Sequence, residues 1–191
     1  MAKASMKAFL SAIHPVEDAI LDAYINHWTP YSLPKKTIMT APGEMERYWY
    51  FVVEGIQKAY YMTEDKQHVM AFTYAPSFTG IPESFFAQKP AEYYLETITD
   101  SKFVRISFEK HQQLMQDYRP IETLFRIATE SLLIGLLERY YQLMAYDIET
   151  RFKAFAKRSP HLLQTISQKD LASYLRMDAT NFSKLINSIR I

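Results

Sequence analysis

The side chains best suited to contact another molecule lie near the carboxyl end of the chain. A predicted helix after Asp178 has an outer face of short polar and cationic residues: Thr180, Asn181, Ser183, Lys184, Asn187 and Arg190. Amide, hydroxyl and cationic groups of this kind hydrogen-bond to base edges and phosphates in the major groove of DNA. The alternative interpretation is a solvated helical hairpin, since many such hairpins have polar outer faces.

Two predicted helices and the turn between them position this face. Ser167 is a candidate N-cap of the first helix, and Asp170 completes an acidic variant of a capping box. The buried face of the first helix is predicted to contain Leu171, Ala172 and Leu175, and that of the second Phe182, Leu185, Ile186 and Ile189. This pattern predicts a helix-turn-helix, and we add Ser167 and Gln168 to the predicted DNA-binding residues. The turn has Arg176 where a glycine would usually relieve a left-handed backbone, so either Arg176 is strained or the turn has a different conformation.

The charge of the chain is divided unevenly. Residues 1–150 contain 14 Lys and Arg against 19 Asp and Glu, whereas residues 151–191 contain 8 against 2. The net charge of +1 therefore combines an acidic segment of −5 with a basic segment of +6. A basic module behind an acidic one is typical of a nucleic-acid-binding tail, although a solvated pair of basic helices would have the same charge.

The segment from Leu33 to Phe108 is predicted to be β-structure. Short runs rich in Tyr, Phe, Val, Ile and Thr alternate with turn residues. The predicted strands are Thr37–Thr40, Tyr48–Val53, Ile56–Met62, His68–Tyr74, Tyr94–Ile98 and Phe103–Ser107. Strands of this length and spacing indicate a β-sandwich or jelly roll.

Helices are predicted on both sides of the β-segment. Residues 1–30 have helical spacing interrupted by Pro15, and a short helix is expected over His111–Tyr118. The segment from Ile121 to about Tyr146 is predicted to form one long helix with two apolar stripes. One stripe would be covered by a partner chain in a homodimer, and an intramolecular core helix is the alternative. The predicted dimer contacts are Leu124, Ala128, Leu132, Gly135 and Leu136.

Residues that could support catalysis or metal binding are sparse. The chain has no cysteine, which excludes disulfides, thiolate metal sites and cysteine-ligated iron–sulfur clusters. The five histidines are scattered, and no nucleotide-binding glycine loop is present. No apolar run reaches the roughly 20 residues of a membrane helix. A soluble cytoplasmic protein with no catalytic residues and no metal is expected.

The order of these elements resembles the Crp/Fnr family of bacterial transcription regulators. The turns at Pro42-Gly43-Glu44, Val53-Glu54-Gly55 and Phe78-Thr79-Gly80 are similar to those of the family's cyclic-nucleotide-binding-like domain. The segment from Glu149 to Phe152 resembles the Glu-x-Arg-aromatic element of members that lack a cysteine cluster. The run Ser-Gln-x-x-x-Ala-x-x-Leu ending at Leu175 is similar to the family's first DNA-binding helix.

The resemblance implies an α+β fold: an antiparallel β jelly roll, a long dimerisation helix and a winged-helix-like helix-turn-helix, here without a C-terminal wing. The domains would be residues 1–119, 120–147 and 148–191. It also implies a homodimer on a near-palindromic site in double-stranded DNA, with RNA polymerase and a small molecule as further partners. The rival hypothesis is a ligand-sensing or protein-interaction module whose DNA-binding end has degenerated.

Departures from the family pattern argue against cyclic AMP as the small molecule. In members that bind it, a Gly-Glu pair contacts the ribose and an Arg followed by a small hydroxyl residue binds the cyclic phosphate. Here Gly80 is followed by Ile81-Pro82-Glu83, which displaces the acid. The expected Arg-Ser position has Pro90-Ala91-Glu92, without the guanidinium that an oxyanion favours. Two alternatives remain: a different small effector, or no ligand at all. The predicted pocket for a different effector contains Phe72, Gly80, Glu83, Ser84, Lys89 and Tyr93.

Overall fold

The computed structural model describes residues 2–64 and 66–188, at residues 179, 187 and 188 in the backbone only. The strands are β1 (Thr29–Leu33), β2 (Ile38–Thr40), β3 (Tyr48–Glu54), β4 (Ile56–Thr63), β5 (Lys66–Tyr74), β6 (Ser77–Thr79), β7 (Tyr94–Thr97) and β8 (Ser101–Ser107). The helices before the last strand are α1 (Ala2–Ile13), α2 (Asp18–Asn26) and α3 (Pro82–Ala87). Those after it are α4 (Phe108–Asp117), α5 (Arg119–Ala145), α6 (Ile148–Arg158), α7 (Leu162–Thr165), α8 (Gln168–Tyr174) and α9 (Ala179–Ser188).

The strands form two antiparallel four-stranded sheets. The first has the order β1-β8-β3-β6 and the second β2-β7-β4-β5. Consecutive strands alternate between sheets except in the β4–β5 hairpin, whose register shifts between Ala59 and Tyr60. The predicted jelly roll is therefore confirmed. Strand β5 lies at the edge of the second sheet, and this position matters for the C-terminal helices.

Helices α1, α2, α4 and the start of α5 cover the first sheet. Their buried side chains form one core with Trp49, Phe51, Val104 and Ile106 of β3 and β8. Within this core the hydroxyl of Tyr24 and Nδ1 of His111 are 2.9 Å apart and form a buried hydrogen bond between α2 and α4. This core holds the first part of the long helix α5 on the β-domain.

Helices α6 to α9 pack on the second sheet. Side chains from both parts of the chain form a shared core: Ile56, Tyr60 and Val69 of the sheet, with Phe152, Phe155, Leu162, Ile166, Leu171, Ala172, Tyr174, Leu175 and Phe182 of the helices. The C-terminal helices are therefore packed directly against the β-domain.

Several short elements differ from the sequence predictions. The first helical segment ends at Asn26, and Thr29–Leu33 instead forms β1, because it pairs with β8 along its full length. Strand β6 and the short helices α3 and α7 were not predicted, since segments of three to six residues are too short to establish a periodicity. Helix α3 begins at Pro82, a residue whose fixed φ suits the first turn of a helix.

Two glycines with similar φ angles offer a test of packing in the β-domain. Gly55 has φ of +96°, and a Cβ there would lie 2.6 Å from the carbonyl oxygen of Asp100. Gly43 has φ of +87° with nothing within 4 Å of a Cβ. We expect Gly55→Ala to lower the free energy of unfolding by about 2 kcal/mol more than Gly43→Ala, because only Gly55→Ala adds a steric overlap to the backbone strain. Urea unfolding of both variants measures this difference, and equal losses would contradict it.

Candidate functional site

The C-terminal helices α8 and α9 form a helix-turn-helix as the sequence predicted. The hydroxyl oxygen of Ser167 accepts a hydrogen bond from the backbone N–H of Asp170 at 3.1 Å, so Ser167 is the N-cap of α8. Asp178 performs the same role for α9, since its Oδ1 accepts from the backbone N–H of Asn181 at 2.9 Å. The caps satisfy N–H groups that have no partner within a helix.

The capping box predicted at Asp170 is only half present. Its backbone N–H is capped by Ser167, but its carboxylate bonds to Nζ of Lys58 on β4, with both oxygens at 3.3 Å. The lysine lies in the β-domain, far away in sequence, and no local pattern could indicate this contact. The prediction for the Asp170 side chain was therefore wrong.

The turn between the two helices has the left-handed residue that the sequence suggested. Arg176 has φ of +59°, a conformation that costs a non-glycine residue roughly 1 kcal/mol. The backbone N–H of Arg176 donates to the carbonyl of Ser173 at 3.1 Å, and that of Met177 donates to the carbonyl of Ala172 at 2.9 Å. These bonds close the end of α8 and hold the turn despite the strain.

The apolar faces of the two helices are buried as predicted. Leu171, Leu175 and Phe182 have no exposed surface, and Ala172 retains 2%. Phe182 packs edge-on against Phe152 of α6, with the ring centroids 5.8 Å apart. Leu185 and Ile186 are partly buried against the same core, while Ile189 lies outside the described residues.

The predicted DNA-binding residues lie mostly on the surface. Ser167, Gln168, Thr180, Asn181 and Lys184 are exposed and Ser183 is half-buried. The Asn187 side chain and Arg190 lie outside the described residues. The amide Nδ2 of Asn181 donates a hydrogen bond to Oδ2 of Asp178, so a contact with a base edge would have to replace this bond. The site can therefore present hydroxyl, amide and ammonium groups on one surface.

Four of the predicted effector residues come together around α3. The hydroxyl of Tyr93 donates to the Glu83 carboxylate at 2.8 Å, and the hydroxyl of Ser84 donates to the carbonyl of Lys89 at 2.6 Å. Gly80 lies beside them, where a Cβ would come within 2.6 Å of the Trp49 ring. The sixth, Phe72, lies elsewhere and packs against Tyr174 with centroids 5.0 Å apart. The ammonium of Lys89 is 3.8 Å from the carboxylate of Glu92.

Two open cavities are described elsewhere on the surface, and none of the six predicted effector residues lines them. One, of about 690 Å³, lies between loops of the β-domain and His161 at the start of α7. The other, of about 610 Å³, lies beside β1, β3 and β8. There the Arg105 guanidinium stacks between the rings of Tyr31 and Tyr48, at 3.8 and 4.1 Å from their centroids.

The second cavity also contains a buried carboxyl group. Glu46 is 1% exposed, and its Oε2 accepts a hydrogen bond from the hydroxyl of Thr40 at 2.8 Å. Burial raises the pKa of Glu46 from 4.5 to about 7, because the ionised form loses its hydration. The sequence predicts a solvated carboxylate here, because Glu44 and Glu46 lie in a turn, and for Glu46 that prediction is wrong.

The long helix α5 changes character along its length. Ile121 and Leu124 are fully buried against the β-domain, so Leu124 is not available to a partner and its prediction as a dimer contact was wrong. Ala128 is half-buried, whereas Leu132, Gly135 and Leu136 are exposed. The exposed apolar surface, here called the α5 apolar face, comprises Leu132, Leu133, Ile134, Leu136, Leu137, Tyr140, Tyr141 and Met144, each between 49 and 71% exposed.

The described part of the chain contains neither a metal-binding cluster nor a membrane-spanning helix. No group of three or more His, Cys, Asp or Glu side chains there is arranged to hold a metal ion. Among residues 2–64 and 66–188, no helix combines the length and the apolar character needed to span a bilayer.

This architecture is similar to that of a known domain family and of several solved structures. Residues 31–118 match the family of cyclic nucleotide-binding domains. FixK2 from Bradyrhizobium japonicum has a similar structure, with a TM-score of 0.73 and 16% identity over 84% of this chain and 83% of that one. The global regulator CLP from Xanthomonas campestris, described as responsive to c-di-GMP, gives a TM-score of 0.68 and 19% identity over 90% and 91%. A regulator from Eubacterium rectale assigned to the Crp/Fnr family gives 0.70 and 13% over 93% and 87%.

Residues 31–118 are therefore the part of the chain that is similar to cyclic nucleotide-binding domains. Together with α5 and the C-terminal helices, this segment gives the chain the fold of the Crp/Fnr transcription regulators. The fold that the sequence resemblance predicted is therefore confirmed. A search of curated protein sequences finds no match.

Proposed function

We propose that the protein is a homodimeric transcription regulator that binds a near-palindromic site in double-stranded DNA and catalyses no reaction. The observation that carries this proposal is the outer face of α9, where Thr180, Asn181 and Lys184 are exposed on a capped and packed helix. An exposed row of hydrogen-bonding and cationic side chains on the second helix of a helix-turn-helix suits the major groove.

The charge of the C-terminal segment supports the same function. Residues 151–191 have a net charge of +6, and within this segment Lys153, Lys157, Arg158, Lys169 and Arg176 are exposed. Such a surface attracts the phosphate backbone through the release of counterions, so binding should weaken steeply as the salt concentration rises. A merely solvated basic hairpin would bind DNA without preference for sequence.

The α5 apolar face supports a dimer. Eight large apolar side chains within thirteen consecutive residues are exposed in the single chain. A patch of this kind marks an interaction surface, and a second copy of the same helix can cover it symmetrically. A dimer would present two recognition helices to successive major grooves, which is why a near-palindromic site is part of the proposal. The division into residues 1–119, 120–147 and 148–191 belongs to the same proposal.

The regulatory ligand, in this proposal, is a small molecule other than cyclic AMP. No guanidinium occupies the position where the family binds the cyclic phosphate, and Lys89, the nearest cation in sequence, faces Glu92. We retain Gly80, Glu83, Ser84, Lys89 and Tyr93 as the candidate contacts. Phe72 is withdrawn from this pocket, because its ring packs on the helix-turn-helix instead. RNA polymerase remains a proposed partner on the basis of the resemblance.

Selection of bound sequences from random duplex DNA tests the proposal directly. We expect the purified protein at near-physiological salt to enrich a two-fold symmetric motif. If no motif is enriched, the selection is repeated with a metabolite pool, which would reveal a regulator that needs its effector. Failure under both conditions would favour the rival hypothesis, a sensor or interaction module with a degenerate DNA-binding end.

Single substitutions on α9 test the recognition surface. We expect Asn181→Ala and Lys184→Ala each to weaken binding to the selected duplex about tenfold, within the 1–3 kcal/mol typical of a base contact. Fluorescence anisotropy measures the affinity, and sedimentation checks that the oligomeric state is unchanged. Lys153→Ala, at an exposed lysine of α6, serves as a control for general loss of charge. Normal DNA binding by both α9 variants would show that the recognition helix is wrongly assigned.

A further inference from the structure

Helix α8 covers the free edge of strand β5. A strand at the edge of a sheet has N–H and C=O groups without partners, and proteins commonly cover such an edge. Here the side chain of Ser173 serves as the missing partner. Its hydroxyl oxygen accepts from the backbone N–H of Val69 at 2.9 Å, and the same hydroxyl donates to the carbonyl of Gln67 at 2.9 Å.

A buried ion pair lies on the same face of α8. Lys58 of β4 is 8% exposed, and its Nζ is 3.3 Å from the carboxylate of Asp170 and 3.7 Å from that of Glu96 on β7. A buried ammonium group that loses a partner is left poorly compensated, so this pair opposes separation of α8 from the sheet. Asp170 and Ser173 are three residues apart and therefore face the same way.

Tyr174 completes the contact. Its ring packs against Phe72 of β5, and the guanidinium of Arg139 on α5 lies 3.6 Å from the ring centroid. The same guanidinium donates to the Tyr174 carbonyl at 2.6 Å, and Arg158 of α6 donates to its hydroxyl at 3.0 Å. The end of α8 is thus attached to β5, to the long helix and to α6 at once.

We propose that Asp170, Ser173 and Tyr174, together called the α8 clamp, are positioning residues that set the orientation of the recognition helix. The inference rests on the proposed function, because orientation matters only if two helix-turn-helix units bind one DNA site. Helices α8 and α9 are joined by a short closed turn, so an α8 held on the β5 edge also determines where α9 points.

The α8 clamp should affect the binding of the second half-site in a full DNA site, and not the binding of the first. A single helix-turn-helix can adjust to one half-site whatever its orientation in the dimer. The helix-turn-helix of the second protomer must then bind a half-site about 34 Å away. Its effective concentration at that half-site is higher when its orientation in the dimer is restricted. A loosened α8 therefore lowers the affinity for the full site and leaves the half-site affinity unchanged.

The experiment compares Ser173→Ala and Asp170→Asn with the wild-type protein on a full site and on an isolated half-site from the selected motif. We expect each variant to lose at least about tenfold in full-site affinity with unchanged half-site affinity. Ser5→Ala, at an exposed serine of α1, is the matched control and should change neither affinity.

Amide hydrogen exchange gives a readout that does not depend on DNA. Ser173→Ala should speed exchange of the Val69 amide, while the amide of Val52 on β3 should be unaffected. Equal losses on full and half-sites, unchanged full-site affinity, or unchanged Val69 exchange would each overturn the proposal. If the wild-type protein binds no DNA, the proposed function and the positioning role both fail, and the exchange rate of Val69 still shows whether the contact exists.

Discussion

Leu136→Arg is expected to convert the protein from a dimer into a monomer of 22.4 kDa. Leu136 is 58% exposed in the single chain and belongs to the α5 apolar face. A guanidinium there would be brought against its symmetry copy and against apolar side chains, which combines like-charge repulsion with loss of hydration. Sedimentation equilibrium over a range of protein concentrations measures the change in mass.

The loss of the dimer should have a large effect on DNA binding. Separation of the two recognition helices removes the advantage of bivalent binding, and the affinity for the full site should fall by roughly 10²- to 10⁴-fold. Ser131→Arg adds the same charge on the same helix, at an exposed position opposite the α5 apolar face, and should remain dimeric. A Leu136→Arg protein that stays dimeric would show that the partner covers another surface.

The second large effect is on the pH dependence of the free energy of unfolding, to which two buried groups, Glu46 and His111, contribute. The pKa of Glu46 is raised by burial from 4.5 to about 7, so the folded protein keeps the proton through a range in which the unfolded chain loses it. The contribution is fully present below pH 4.5 and is lost as the pH rises to about 7. The difference corresponds to roughly 3 kcal/mol of unfolding free energy.

His111 makes the other contribution, with the opposite sign. It is 1% exposed, and burial lowers its pKa from 6.5 to about 4. Between these pH values His111 binds a proton in the unfolded chain but not in the folded protein. The free energy of unfolding therefore decreases as the pH falls from 6.5 to about 4. The size is again roughly 3 kcal/mol. Between pH 4.5 and 6.5 the two dependences should largely cancel in the wild-type protein.

Two variants separate these contributions. Glu46→Gln replaces the carboxyl group with a neutral side chain of the same shape. The free energy of unfolding of this variant should decrease on acidification from pH 6.5 to 4.5, because only the His111 contribution remains. His111→Asn should show the reverse trend, because only the Glu46 contribution remains. Urea unfolding at both pH values, compared with the wild-type protein, isolates each group. Parallel pH curves for all three proteins would contradict the assignment.

The sequence by itself determined the class of fold and most of the helix-turn-helix. All six predicted strands match observed ones to within two residues at each end, because aromatic and β-branched residues between turns are a local signal. The caps at Ser167 and Asp178 followed from residue type and spacing alone. A strained Arg176 was one of the two conformations expected for the turn. Helical periodicity also predicted two apolar stripes on α5, but only Leu132 and Leu136 of the five predicted dimer contacts belong to the α5 apolar face.

Only the tertiary structure decided which parts of the chain meet. Whether Leu124 faces a partner or the core depends on where α1 and α2 pack, and the periodicity of α5 is the same in either case. The bond of Asp170 to Lys58 joins residues 112 positions apart, and a carboxylate three residues after an N-cap would otherwise be read as part of a capping box. Burial is a property of the assembled sheets, which is why the shifted pKa values of Glu46 and His111 and the covered edge of β5 had no counterpart in the sequence pattern.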